Sequence, residues 1–106
     1  MNFSMINNNW RICFDRRFQL DVNKWKNQVD DLQGELRDIV DYIIEYGEIP
    51  SEYDPHELVD LTLPYTGTMD FHLFDGKVDL LVIYTEINKH RVFRFMRLGS
   101  HNELFH

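Results

Sequence analysis

The 106 residues are 43% hydrophobic, 14% aromatic and 27% charged, enough for one core and too few for a second domain, since single domains usually take about 100 to 150 residues. The longest apolar runs, such as Leu80 to Tyr84, fall far short of the roughly 20 residues that span a bilayer, which excludes a membrane helix. A formal net charge of -7 with histidine neutral argues against a protein carried by bulk charge to nucleic acid or anionic lipid.

Residues 1–9 are polar and asparagine-rich, without the apolar stretch of a secretion signal, and read as a flexible leader to a single domain over 10–106. One cysteine, Cys13, has no disulfide partner within the chain, and a reducing cytoplasm is the expected location. Trp10, Ile12 and Phe14 alternate with Arg11, Cys13 and Asp15, which predicts a first strand with Cys13 packed nearby. Phe18, Leu20, Val22, Trp25 and Val29, then Leu32, Leu36, Ile39, Val40, Ile43 and Ile44, recur at three-and-four spacing and predict two helices. Their junction falls near Asn27 to Asp31, where Asp30 or Asp31 can cap the second helix, and Gly47 ends it. Asp38, Asp41 and Glu45 lie on its solvated face.

Pro50, Pro55 and Pro64 break the pattern, predicting a loop that carries His56. Three strand-like runs follow, Met69 to Phe74, Val78 to Ile87 and Arg91 to Leu98, with Asp75-Gly76 and Asn88-Lys89 as hairpin turns. The expected fold is α+β, in the order β-α-α-β-β-β: a small antiparallel sheet with two helices packed on one face and the other face available for a site.

Chemistry-bearing residues concentrate late in the chain. All five histidines, His56, His72, His90, His101 and His106, follow Pro55, whereas the part before His56 carries -5 of the -7, from 11 acidic and 6 basic residues. The negative charge is thus expected mainly on the helical side. Alternation places Asp70 and His72 on a strand face pointing away from the core. Asp79 opens a strand otherwise made of Val78, Leu80, Leu81, Val82 and Ile83, and a carboxylate among such neighbours calls for a reason. Arg97 ends the last strand, and Gly99-Ser100 turns the chain so that His101 can converge with it. His90 reads as a turn residue and His106 as a free terminus.

The tail Arg97-Leu98-Gly99-Ser100-His101-Asn102-Glu103-Leu104-Phe105, the run Asp79 to Tyr84, Asp70-Phe71-His72 and His56 together resemble the YafQ branch of the RelE-type bacterial toxins, over about Trp10 to Phe105. That resemblance implies a small antiparallel sheet with helices on one side, ribosome-dependent cleavage of mRNA, and a cognate antitoxin as partner. It carries over to His56, Asp70, His72, Asp79, Arg97, His101 and Phe105. Two features depart from it: Leu80 follows Asp79 where some members carry an aromatic, and the chain is acidic where most members are strongly basic.

Cleaving RNA through its own 2'-hydroxyl requires a base for that proton, an acid for the departing 5'-oxygen and a cation for the phosphorane, with no metal or other cofactor. His101 is assigned the acid and Arg97 the phosphate grip, and the base is left among Asp79, His56 and His72. Phe105 can stack on a base. Arg91, Arg94, Arg97 and Lys77 are expected to form a small positive patch for RNA, with Asp70 also at the substrate. Competing readings are a ParE-like toxin that binds a protein target, a zinc protein using His56, His72, Asp79 and His101, and a decayed toxin that keeps only its antitoxin.

Overall fold

The computed structural model describes residues 10–58, 67–87 and 91–105. Strand β1 (Arg11–Phe14) leads into helices α1 (Arg16–Trp25) and α2 (Leu32–Tyr46); then come β2 (His56–Glu57), β3 (Met69–His72), β4 (Leu81–Ile87), β5 (Val92–Gly99) and α3 (His101–Phe105). The five strands form one sheet in the order β1-β5-β4-β3-β2. The expected leader, the Asn88-Lys89 turn, His90 and His106 lie outside the described residues.

Both long helices form for the reasons their spacing gives. Phe18 of α1 and Leu32, Leu36, Ile39 and Ile43 of α2 are buried against Phe71, Val82, Tyr84, Phe93, Phe95 and Leu98 of the sheet. Gly47 ends α2 in the left-handed conformation (φ 74°), returning its N–H to the Ile43 carbonyl at 2.7 Å. Asp31 occupies the position before α2, but its side chain makes no capping bond. It folds over Gly34, where a Cβ would lie 2.2 Å from Asp31 Oδ1.

The sheet departs from the expected antiparallel one. It is mixed, because β1 runs parallel to β5 while every other pair is antiparallel. The helical excursion after β1 carries the chain across the sheet, and a long crossover is what parallel neighbours require. The proline-rich stretch, expected as loop, contributes the two-residue edge strand β2. Two further boundaries move: β3 stops at His72, and β4 starts at Leu81 rather than Val78. Between them Phe74, Asp75 and Gly76 all take positive φ (52°, 55° and 76°). This strained turn is held by Glu35 of α2, whose Oε2 accepts the Phe74 N–H at 2.6 Å.

A β-bulge sets Arg97. Ile83 pairs with Arg97 but the next residue, Tyr84, pairs with Phe95, so Met96 is the extra residue. Simple alternation would send Arg97 into the main core behind Phe93 and Phe95. The bulge sends Leu98 there instead. Neither is the second sheet face wholly open: α3, absent from the expected elements, brings Leu104 onto Leu58, Leu81 and Ile83, with Met96 and Phe105 beside them. Cys13, expected to be packed, is exposed on β1.

Candidate acid–base site

The site is built at one end of the second sheet face. His56 and Asp70 are direct partners across β2 and β3, which brings His56 Nε2 to 3.1 Å from Asp70 Oδ1. His56 Nδ1 lies 2.9 Å from the Asp54 carbonyl oxygen, so Nδ1 carries the hydrogen and Nε2 faces the carboxylate. The contact has ion-pair distance without hydrogen-bond alignment, and among the described residues the buried Asp70 Oδ1 has no donor. A lone pair facing a carboxylate is repulsive, so the pair is electrostatically complete only with a further proton between them. Asp70 was expected to point away from the core. It does lie on the second face, yet it is only 2% exposed, because that face carries its own apolar cluster. Burial pushes its carboxyl pKa up, while His56, His72 and His101 pull it down.

From His56 the imidazoles form a row. The His72 ring centre is 6.0 Å from that of His56 and 5.3 Å from that of His101, whose other neighbour is Phe105 at 5.9 Å. Asp79 closes the row. It lies in the loop before β4, not in the strand, and its Oδ1 takes His101 Nδ1 at 2.6 Å and the His101 backbone N–H at 3.2 Å. The His101 hydrogen bond holds the Asp79 carboxyl below the usual carboxylate range. With Nδ1 committed to Asp79, His101 keeps Nε2 for proton transfer.

The cations are arranged otherwise. Arg97 is held by Asp21 of α1, with Nε 2.8 Å from Oδ2 and Nη2 3.3 Å from Oδ1. Arg94 makes a bidentate pair with Asp15, both bonds at 2.8 Å. Lys77 lines a hollow of about 280 Å³ with Glu35, Glu52, Tyr53, Phe74 and Asp75. Arg91, exposed with φ 54°, precedes β5. Two of the four cations expected in the patch, Arg94 and Arg97, are thus paired with carboxylates of the chain. Nor is the acidity confined to the helical side: Glu52, Asp54 and Asp75 line a second hollow of about 280 Å³ with His72. A larger one, about 420 Å³ between α1 and α2, is lined mainly by Phe14, Phe18, Val22, Leu36 and Val40 and holds no histidine.

Among the described residues, no three His, Cys, Asp or Glu side chains are grouped to hold a metal, and no helix is long and apolar enough to cross a membrane. Sequence reasoning passed over Asp21, although a carboxylate three residues after Phe18 in the buried stripe of α1 was a signal. The Asp54 carbonyl had none.

A mixed five-stranded sheet with α1 and α2 on one face and a histidine–carboxylate row on the other defines a small α+β protein with these ionisable side chains gathered at one end of the sheet. A profile described as the bacterial toxin of type II toxin-antitoxin systems, YafQ, matches residues 10–106. Among solved structures, the Escherichia coli DinJ-YafQ complex shares 25% identity at TM-score 0.68, covering 90% of this chain and 97% of that one. A metal-bound toxin from Helicobacter pylori shares 27% identity at TM-score 0.65, covering 91% and 99%. No curated protein matches the chain in sequence. This chain belongs to the YafQ family of type II toxins.

Proposed function

We propose that this toxin is a metal-independent endoribonuclease that cleaves mRNA on the ribosome and is restrained by a cognate antitoxin. The observation that carries the reading is the continuous row Asp70, His56, His72, His101, Asp79, which sets proton donors and acceptors side by side. In the reaction a base removes the 2'-hydroxyl proton, the resulting oxyanion attacks the adjacent phosphorus, and the 5'-oxygen leaves with a proton from His101 Nε2. The products are a 2',3'-cyclic phosphate and a 5'-hydroxyl. Asp79, tied to His101 and held below the usual carboxylate range, is poorly suited as the base, which favours His72 or His56 with Asp70 behind it. Phe105, beside His101, offers a stacking surface for a nucleobase. Arg97, oriented by Asp21, supplies the cation for the phosphate. The E. coli relative crystallised with DinJ supports an antitoxin partner here.

Expression without antitoxin should arrest growth through translation, and His101→Ala should relieve the arrest. A leaving-group acid contributes about 100 to 10,000-fold, so the folded variant should be nearly inactive in a ribosome cleavage assay. Full toxicity of that variant would remove His101 from the mechanism.

A further inference from the structure

His101 and Phe105 stand on a helix of five residues, too short to keep its place by its own hydrogen bonds. Whatever α3 rests on is therefore part of how the site is held. Asp21, Lys24 and Trp25 are spaced i, i+3 and i+4 on α1, hence on one helix face, and all three reach the C-terminal segment. Asp21 Oδ2 accepts the Leu98 N–H at 2.9 Å in addition to Arg97 Nε. Its carboxylate thereby takes the strand edge that β1 leaves open after Phe14 pairs with Phe95. Glu103 of α3 accepts the Trp25 indole N–H at 3.2 Å on Oε1 and the Lys24 ammonium on Oε2. Gly99 makes room for it: a Cβ there would lie 2.4 Å from Glu103 Oε1 and 3.2 Å from Leu104 Cγ.

We propose that the Asp21–Lys24–Trp25 face of α1 is a positioning latch, which holds Arg97–Phe105 so that His101 meets Asp79 and Phe105 flanks the His101 ring. Its role in catalysis rests on the cleavage reading above. The latch has a firm end and a yielding end. At Asp21 the pair is enclosed, with side-chain exposures of 15% for Arg97 and 10% for Asp21, whereas Lys24 is 54% exposed and Glu103 24%. The second pair is open to screening by salt. These are positioning residues that act on the proton-transfer groups through the backbone of α3.

The test uses the full chain and reads α3 directly. The Leu104 N–H, bonded to the Ser100 carbonyl at 3.0 Å, reports whether α3 is seated, and the Val82 N–H of central β4 reports global stability. Glu103→Ala should speed hydrogen exchange at Leu104 by about tenfold, for the loss of two hydrogen bonds from a charged group, and leave Val82 unchanged. The same variant should lower kcat by a similar factor with KM unchanged, and Glu103→Gln, which keeps one acceptor oxygen for the Trp25 indole N–H but turns an amide NH2 toward Lys24, should recover part of each loss. Should Glu103→Ala loosen Val82 as well, Lys24→Ala repeats the measurement at an exposed residue, with a smaller rise at Leu104 alone. Unchanged Leu104 exchange in Glu103→Ala, or equal acceleration at Leu104 and Val82 in Lys24→Ala, overturns the latch. If the parent chain fails to cleave mRNA while Leu104 responds as described, the latch stands and the cleavage reading falls.

Discussion

Replacing Asp70 by asparagine should make the protein more stable and less active. Asp70 is 2% exposed, faces Ile83 and His56 across the strands, and has one oxygen with no donor among the described residues. An ionised carboxylate there loses its hydration without a full set of hydrogen bonds in return. A buried group left unsatisfied costs about 1 to 3 kcal/mol, offset in part by the three imidazoles that oppose it. Asparagine keeps the shape, removes the charge and turns an amide donor toward His56 Nε2. The net gain should be about 1 kcal/mol, a rise in Tm of about 4 to 8 °C for a domain of this size. The pH dependence follows from the direction of the Asp70 shift. Its folded-state pKa lies above the ordinary 3.8, so the folded state binds the proton more tightly than the unfolded state. That advantage is complete below the unfolded value and disappears as pH rises through the folded value. Relative to the variant, the wild type therefore gains stability on acidification, and the excess stability of the Asp70→Asn variant shrinks as the pH falls toward and below 3.8. Thermal unfolding of both proteins across this range by circular dichroism measures it. A lower Tm for the variant at neutral pH, or an excess that does not change with pH, would refute the reasoning.

Three further outcomes are expected. Glu35→Ala leaves the Phe74 N–H without its acceptor at a turn of three left-handed residues, and should cost about 1 to 3 kcal/mol in urea unfolding; an unshifted midpoint would show that the turn holds itself. EDTA should leave RNA cleavage intact, and loss of activity restored by zinc would turn the histidine row into a ligand set. Because Arg94 is already paired with Asp15, Arg94→Ala should change the salt dependence of ribosome affinity by less than the roughly 0.9 log unit of a full phosphate contact, while a full unit of change would show that the arginine leaves Asp15 for RNA.

Much of this protein was legible in its sequence because the relevant physics is local. Three-and-four spacing placed α1 and α2, Gly47 marked the end of α2, and the apolar run through Leu81 to Tyr84 marked a strand, which the structure buries on both faces. The motif from Arg97 to Phe105 likewise pointed to the family, and its spacing sets the His101 and Phe105 rings side by side whatever the arrangement of the remaining chain. What the sequence could not determine depends on contacts between distant segments. Parallel pairing of β1 with β5 follows from where the helices return the chain, not from any pattern in Arg11–Phe14. Burial of Asp70 required α3 and Leu58 to enclose the second sheet face, and alternation alone reads that face as open. The pairing of Arg97 with Asp21 needed both the bulge at Met96, which breaks the period of two, and the end of β1, which left the Leu98 N–H to be taken by a side chain from α1. Period and spacing act within about one turn or one strand, whereas the charge state and reach of a side chain are set by whatever the folded chain packs against it.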